Sequence, residues 1–203
     1  MAKEKHREKT VEPKNTNPWI ITVGVIVLLL IIGVIWWVGT YNSLVKLNEE
    51  TNNKWAQVEA QYQRRVDLIP NLVSTVKGAA NFESSTLEEI TRLRSQWQNA
   101  PTVNEKIETA NQIESTLSKL LVVAENYPQL QATKNFQSLQ DELANTENKI
   151  AVERGRYNEA VRDFNVRIKT FPSNIVANSL RYESKIYFES KEGSENAPEV
   201  TFA

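Results

Sequence analysis

An uncharged, apolar stretch near the N-terminus constrains this chain more than any other feature of its sequence. From Trp19 to Val38 the sequence reads WIITVGVIVLLLIIGVIWWV, and Thr22 carries the only polar side chain. A helix rises about 1.5 Å per residue, so this stretch would be about 30 Å long, the thickness of a bilayer's hydrocarbon core. Backbone amides in lipid must pair within their own segment, which favours a helix despite the many β-branched residues. The stretch predicts one transmembrane helix over residues 19–38.

The two ends of this stretch are typical of a membrane span rather than of a cleaved signal peptide. Trp19, followed by Ile20, begins it, and Trp36, Trp37 and Tyr41 lie at its other end. These aromatic residues are placed where an aromatic belt meets the lipid headgroups. The apolar core of a signal peptide is about 7–15 residues long and is followed by an A-x-A-like cleavage site. The core here is longer, and the sequence at its exit, WWVGTYN, offers no such site. We therefore expect the span to be retained, with Leu29 near its middle.

The charges on either side of the stretch predict its orientation. Residues 1–18 hold five Lys or Arg, whereas the twenty residues after Val38 hold two, Lys46 and Lys54. Because basic residues flanking a span stay in the cytoplasm, we expect a cytoplasmic N-terminus and an extracytoplasmic domain. Residues 1–18 also hold three Glu, so 19 of the 24 basic and 22 of the 25 acidic residues follow them, a net charge of −3. A mildly acidic domain is a poor binder of nucleic acid.

The residue types that most often catalyse reactions or bind metals are rare in this sequence. There is no cysteine, and the one histidine, His6, lies in the charged N-terminal tail, where a solvated side chain is expected rather than a ligand. Disulfides, zinc–thiolate sites and cysteine nucleophiles are thereby excluded. The di-iron pattern Glu-x-x-His, H-E-x-x-H, G-x-S-x-G and the Gly-rich phosphate loop are all absent from the sequence. The sequence predicts a protein that is not an enzyme and has no cofactor, metal or small-molecule substrate.

A seven-residue repeat of apolar side chains marks residues 135–171. The repeat comprises Phe136, Leu143, Ile150, Tyr157, Phe164 and Phe171, with Leu139, Val161 and Ile168 beside it. Such spacing keeps one face of a long helix against its partners, as in a coiled coil. Polar residues interrupt it at Thr146 and Glu153, which favours a helix bundle over a uniform two-stranded coil. Pro172 and Ser173 are expected to end the helix.

Two further apolar runs predict the rest of an antiparallel bundle. The first comprises Trp55, Val58, Tyr62, Val66, Ile69, Val73 and Val76, continuing to Leu87, Ile90, Leu93 and Trp97; the second comprises Val103, Ile107, Ala110, Leu117, Leu120 and Ala124. Pro70 predicts a kink or break near Leu68, and Thr102 and Glu105 have the spacing of a capping box. The polar residues 48–54 are expected to be helical and to face solvent on all sides. Three long pieces together bury a core that one helix cannot.

The C-terminal part of the sequence loses the helical pattern. An alternation typical of a short strand runs through Tyr182, Ser184, Ile186 and Phe188, and a polar segment expected to be flexible follows it. Pro198, Val200 and Phe202 then restore a stiff residue and two apolar ones spaced two apart. In an extended segment those two side chains point the same way, as in peptides that dock on a strand edge or in paired pockets. The tail is thus a candidate docking segment, and a frayed terminus is the alternative.

Two short polar motifs stand apart from the solvated helix faces. Arg64, Arg65 and Asp67 adjoin the LIPNL segment of the first apolar run, and Glu147 lies at the polar interruption of the seven-residue repeat. A buried Arg–Glu pair can fix the register of two helices. We favour this structural role for these residues over a ligand site.

Taken together, these segments resemble the LemA family of bacterial membrane proteins. The matching pieces, in chain order, are YNSLV from residue 41, WAQVE from 55, RRVDLIPNLV from 64 with TVKG from 75, ENYP from 125, TENKI from 146, YN from 157, FP from 171 and PEVTF from 198. The resemblance implies a short N-terminal tail, one transmembrane helix and an antiparallel helical bundle. It implies little chemistry; magnetosome relatives of the family are tied to membrane remodelling, and its genes often neighbour those of membrane metalloproteases.

Two functional hypotheses of different classes follow from the sequence. In the first, the chain is a scaffold that forms homo-oligomers at the bacterial plasma membrane; in the second, it is an adaptor or regulator of a membrane partner such as a metalloprotease. Both hypotheses share an all-α architecture with a short extended C-terminal segment. Its expected parts are a charged tail (1–18), a transmembrane helix (19–38), a helical bundle (39–190) and a flexible or extended tail (191–203).

Overall fold

The computed structural model describes residues 18–77 and 84–188, and within these ranges the chain is helical without strands. The helices are α1 (Pro18–Lys77), α2 (Ser84–Asn99), α3 (Val103–Ala124), α4 (Pro128–Gln131), α5 (Lys134–Lys169) and α6 (Ser173–Ser179). The predicted all-α fold with a long apolar N-terminal helix is confirmed. The chain divides into two compact units, residues 1–43 and 44–203.

The first unit contains the apolar stretch, which forms the first part of α1. Every described side chain from Pro18 to Gly39 is exposed, as expected of a helix whose apolar surface has no protein around it. Among the described helices, α1 alone is long and apolar enough to span a membrane.

The second unit is an antiparallel bundle whose core is built by the predicted apolar faces. In α5, five members of the seven-residue repeat are buried: Phe136, Leu143, Ile150, Tyr157 and Phe164. The sixth, Phe171, is 76% exposed, so its predicted place on the buried face is wrong. The helix ends at Lys169, where the C-cap residue Thr170 has an extended backbone. Phe171 follows as the residue before Pro172, a position at which the helical conformation is disfavoured. Val103 at the start of α3 is likewise exposed rather than buried.

The start of α3 follows its sequence signal closely. Thr102 is the N-cap residue of the helix, and its hydroxyl accepts a hydrogen bond from the Glu105 backbone N–H at 3.2 Å. The Thr102 hydroxyl also lies 3.1 Å from the Glu105 carboxylate. The N-cap half of the predicted capping box is therefore present and satisfies one of the free N–H groups of the first turn, while the Glu105 carboxylate accepts from the Thr102 hydroxyl.

Of the kink or break predicted near Leu68, the break is wrong, since α1 continues through Pro70 to Lys77; the kink stays a prediction. An internal proline costs a helix about 3 kcal/mol or more. Here Ile69 and Leu72, on either side of it, are buried in the core, and their burial offsets that cost. The polar residues 48–54 are helical as predicted but do not face solvent on all sides, because Thr51 is buried and its hydroxyl donates to the Leu47 carbonyl at 2.8 Å.

A second, smaller core lies at one end of the bundle. It consists of Leu44 from α1, Phe164 and Ile168 from α5, and Val176 and Ala177 from α6. The sequence predicted neither α6 nor α4. After α6 the chain turns at Arg181, which has a φ of 54°, and continues as an extended segment over residues 182–188.

Candidate functional site

A buried carboxylate, Glu114 of α3, lies at the centre of a polar cluster that joins three helices. Its Oε1 atom accepts a hydrogen bond of 2.8 Å from the Tyr62 hydroxyl of α1. The same oxygen lies 3.0 Å from Nη2 of Arg154 in α5 and 3.9 Å from Nη1 of Arg65 in α1. Glu114 itself is only 6% exposed. A carboxylate taken out of water in this way needs such partners, because burying an isolated charge is very costly.

Arg65 is even less exposed to solvent than Glu114. Its side chain is 4% exposed, and its Nη2 atom lies 3.7 Å from Oε2 of Glu147 in α5. Its Nε and Nη1 atoms have no hydrogen-bond partner within the described part of the chain. The guanidinium is therefore held mainly by charge, and Glu114 is its buried counter-ion.

Arg154 connects the cluster to the aromatic core. Its Nη2 atom donates to the Tyr62 hydroxyl and, at 2.9 Å, to Oδ1 of Asn111. Its guanidinium carbon lies 5.4 Å from the centre of the Tyr62 ring and 4.6 Å from that of Phe188. A cation over an aromatic face gains about 0.5–2 kcal/mol, more when it is desolvated. Arg154 thus bridges a carboxylate, an amide and two rings.

The tyrosines of this region are held in their neutral form. Burial raises the pKa of Tyr62 far above its usual range, and the neighbouring Glu114 carboxylate raises it further. Burial also raises the pKa of Tyr157 to about 12. Both hydroxyls donate hydrogen bonds, that of Tyr157 to the Ile186 carbonyl at 3.3 Å. Neither is suited to act as a base, because each would have to ionise in an apolar environment.

Residues 182–188 form an extended segment, here called the strap, that lies along α5. The side-chain amide of Asn165 donates to the Lys185 carbonyl at 2.8 Å and accepts from the Lys185 N–H at 2.9 Å. Asn158 makes the same pair of bonds with Phe188, both at 2.9 Å. The sequence alternation predicted a strand here, and that prediction is wrong. Asparagine side chains, two helical turns apart on α5, supply the backbone partners that a neighbouring strand would have supplied.

Phe188 anchors the end of the strap in the core. It is 4% exposed, and its ring is stacked on Trp55 at 6.0 Å and on Tyr62 at 6.2 Å between centroids. Tyr157 meets it edge-on at 5.7 Å. Aromatic pairs of this kind add about 0.5–1.5 kcal/mol beyond the area they bury. The strap therefore packs on the same aromatic cluster that Arg154 contacts.

The residues singled out from the sequence have different surroundings. Arg65 and Glu147 are brought together, whereas Arg64 donates through Nε to Glu142 at 2.9 Å on the surface. Asp67 is exposed and accepts a hydrogen bond from the Gln63 amide, outside the cluster. The register role of these residues stays a prediction. The anchor residues lie in α1, and the candidate docking residues Pro198, Val200 and Phe202 lie outside the described residues.

Several residues of the cluster were missed by sequence reasoning, among them Glu114, Arg154, Asn158, Asn165 and Phe188 as a core residue. A signal was available for Glu114, because it falls between Ala110 and Leu117 at the spacing of one helix face. An acidic residue at a core position indicates a buried counter-ion. No comparable signal exists for Asn158 and Asn165, whose partners are backbone atoms 20 to 30 residues away.

A polar cleft of about 1250 Å³ lies where the last turns of α1 meet the α3–α5 connection. It is bordered by Asn71 and Thr75 of α1 and by Asn126, Tyr127 and Gln129, among others. The described residues that line the cleft all have side chains of uncharged types. Within residues 18–77 and 84–188 there is also no group of three His, Asp or Glu side chains placed to hold a metal ion. The cleft therefore offers no described acid, base or cation for catalysis.

Comparison with known proteins finds similarity to one family and to proteins of two names. Residues 54–202 match the family model described as the LemA family. Protein LemA of Metamycoplasma hominis is 29% identical over 175 residues, covering 86% of this chain and 77% of that protein. Magnetosome protein MamQ 2 of Paramagnetospirillum magneticum is 23% identical over 83% of this chain and 73% of its own length. Magnetosome protein MamQ of Magnetospirillum gryphiswaldense is 21% identical over 91% and 77%, respectively.

Proposed function

This chain belongs to the LemA family, and on that premise we propose that it is a non-enzymatic, membrane-anchored scaffold that assembles with copies of itself at the bacterial membrane. In this proposal residues 19–38 cross the plasma membrane once, with residues 1–18 in the cytoplasm. Residues 39–190 form the extracytoplasmic bundle, and residues 191–203 link neighbouring copies. The role is to organise or remodel the membrane rather than to transform a substrate.

The observation that carries the proposal is the internal pairing of the buried charges. Catalytic acids and bases are titratable groups that face a substrate and have been perturbed for that purpose. In this bundle the buried carboxylate of Glu114 is bonded to Tyr62 and Arg154 and faces Arg65. These groups hold α1, α3 and α5 to one another, and none of them lines the polar cleft. Such an arrangement suits a rigid body that positions binding surfaces.

The relatives support the membrane part of the proposal. Two of the compared proteins are named magnetosome proteins, and their similarity extends over 83% and 91% of this chain. Similarity over 91% of the 203 residues must include most of the apolar stretch as well as of the bundle. A role in organising a membrane is therefore proposed for the bundle and its anchor together.

Self-assembly is tested by the mass of the purified full-length chain in mild detergent. We expect light scattering coupled to size exclusion to give a protein mass several times the 23.2 kDa of one chain. Deleting residues 196–203, which removes Pro198, Val200 and Phe202, is expected to lower that mass without changing the helical circular dichroism. The matched control replaces the same segment with a Gly/Ser sequence of equal length, which should behave like the deletion. A monomeric full-length chain would contradict the scaffold and favour an adaptor that presents the bundle to a membrane partner.

A further inference from the structure

The strap is bound to α5 through its backbone rather than through most of its side chains. Asn165 bonds to both the N–H and the carbonyl of Lys185, and Asn158 bonds to the same two groups of Phe188. Every residue except proline carries both of these backbone groups. The four bonds therefore fix the path of an extended segment along α5 and place little demand on its sequence.

The spacing of the two asparagines matches the length of the strap between them. Asn158 and Asn165 are seven residues apart in α5, which is about 10 Å along the axis at about 1.5 Å per residue. Lys185 and Phe188 are three residues apart, which is also about 10 Å at about 3.3 Å per extended residue. The later strap residue bonds to the earlier asparagine, so the strap runs antiparallel to α5. This face of α5 is therefore shaped to bind an extended chain.

Phe188 is the one side chain of the strap that is buried. Its ring packs against Trp55 and Tyr62 of α1 and Tyr157 of α5. These three side chains belong to the main core of the bundle, so the helices rather than the strap hold them in place. Together with the two asparagines they form a site, here called the strap groove, for an extended segment that carries an aromatic residue.

The connection that leads into the strap is short and strained. Leu180 and Arg181 alone separate α6 from the strap. Arg181 is the one non-glycine residue in the described part of the chain with a positive φ, 54°, in the left-handed region that a side chain with a Cβ disfavours. Straightening this turn releases the strain and carries the strap away from its own α5. Short connections under strain favour the exchange of the segment that follows them between copies.

The strap can leave its groove while the bundle stays folded. Ile186 and Tyr187 are 39% and 42% exposed, and the bonds between the strap and α5 come from separate side chains rather than from a continuous ladder. Segments with few buried contacts open locally at a lower free energy than that of global unfolding. Exchange is therefore open to chains that have already folded.

We propose that the strap groove of one chain binds the strap of a second copy, so that two copies exchange residues 182–188. The strap is the segment that the groove fits, and every copy carries both. An exchanged pair forms the same bonds between chains that one chain forms within itself, so exchange loses no contact. The aromatic cluster of each copy is then completed by Phe188 of the other. This inference rests on the self-assembly proposed above and assigns a site to it.

Cross-linking between single-cysteine chains tests the exchange, since the chain has no cysteine of its own. One full-length chain carries Asn52→Cys and a second, with a different tag, carries Lys185→Cys; the two replaced side chains are 2.8 Å apart. The chains are coexpressed, and their membranes are treated with a short bismaleimide. We expect a cross-linked heterodimer, because the strap of one chain lies beside α1 of the other.

The matched control places the first cysteine far from the strap groove, as Val122→Cys. Val122 is 62% exposed and comes four residues before Asn126, which borders the polar cleft together with Asn71. Asn71 comes 19 residues after Asn52 in α1, which is about 28 Å at about 1.5 Å per residue. Coexpressed with Lys185→Cys, this control should give little heterodimer.

Two further variants test whether the groove and its aromatic anchor make the link. Asn158→Ala with Asn165→Ala, in the chain that carries Asn52→Cys, removes four hydrogen bonds to the strap. Each such bond changes an equilibrium by about two- to tenfold, so the heterodimer yield should fall by at least about tenfold. Phe188→Ala in the chain that carries Lys185→Cys leaves the groove intact and should lower the yield as well. Circular dichroism checks that each variant keeps its helicity.

Strap exchange and self-assembly fail in different ways in these experiments. A chain with both Asn52→Cys and Lys185→Cys cross-links internally when its strap stays in its own groove. If it gives only this internal product and the mixed chains give no heterodimer, while light scattering shows the mass of several chains, exchange is wrong and the scaffold stands. Equal heterodimer yields with Asn52→Cys and Val122→Cys would indicate contact without exchange and overturn the proposal too. A monomeric mass without heterodimer contradicts both proposals.

Discussion

Removing the charge of Glu114 is predicted to destabilise the bundle more than any exposed charge substitution. Glu114→Gln keeps the shape of the side chain and an oxygen that can accept from Tyr62, so little cavity is created. It removes the counter-ion of Arg154 at 3.0 Å and of Arg65 at 3.9 Å. Arg65 is the decisive residue, because its side chain is 4% exposed and its Nε and Nη1 atoms have no described hydrogen-bond partner.

The size of the effect follows from what remains around the two guanidinium groups. Arg154 keeps Asn111 and Tyr62, but Arg65 keeps only Glu147, whose side chain is 58% exposed and screened by water. Leaving a buried charge without its partner costs about 3–5 kcal/mol. We therefore expect Glu114→Gln to lower the free energy of unfolding by about 3–5 kcal/mol.

Urea unfolding of the full-length chain in detergent micelles, followed by circular dichroism, measures this loss. The control is Arg64→Gln, which breaks the surface pair with Glu142, whose side chains are 53% and 32% exposed; it should cost no more than about 1 kcal/mol. Adding Arg65→Met to Glu114→Gln removes the stranded charge and should restore about 1–3 kcal/mol as a coupling energy. Equal losses for Glu114→Gln and Arg64→Gln, or no recovery in the double variant, would refute the reasoning.

Three further predictions concern the core, the strap and pH. Ile150→Ala should cost about 2–5 kcal/mol, whereas Phe171→Ala, at a site 76% exposed, should stay within about 0.5 kcal/mol; similar urea midpoints for both would contradict the assigned core. Phe188→Ala should cost about 3–5 kcal/mol and accelerate hydrogen exchange in the strap, while Ile186→Ala, which is 39% exposed, should leave exchange unchanged. Burial raises the pKa of Tyr157 from 10.0 to about 12, so the folded state keeps a proton that the unfolded state loses. The resulting stability is present below pH 10.0 and is lost as the pH rises to about 12. The free energy of unfolding should fall by up to about 1.4 kcal/mol per pH unit over this range. If the urea midpoints of a Tyr157→Phe variant fall as steeply as those of the unmodified chain, this tyrosine is not the cause.

The parts of the fold that sequence predicts well are those governed by local repetition. The seven-residue spacing in α5 predicted five buried residues because a helix repeats its own face regardless of its partners. The N-cap hydrogen bond of Thr102 was predictable for the same reason, since its donor and acceptor are three residues apart. Local rules failed at Phe171, where the helix ends before the repeat does. At Pro70 they allowed a break that is absent, because burial of Ile69 and Leu72 outweighs the lost hydrogen bond.

The candidate site was less predictable because its partners are distant in sequence. Tyr62 and Glu114 are 52 residues apart, and Arg154 is 92 residues from Tyr62. A single sequence places Arg65 in the first apolar run and Glu147 at the polar interruption of the seven-residue repeat. It does not show which carboxylates the Arg65 guanidinium meets. The strap shows the same limit, since an alternating pattern indicates extended backbone without indicating that asparagine side chains will hold it.

Counting subunits in native membranes tests the central claim most directly. The full-length chain, carrying a C-terminal fluorescent protein behind a long linker, is captured in membrane vesicles formed without detergent, and bleaching steps are counted in single particles. A scaffold that assembles with copies of itself predicts particles with several bleaching steps at low expression, and fewer steps in the variant lacking residues 196–203. Single-step particles for the intact chain at every expression level would contradict the account.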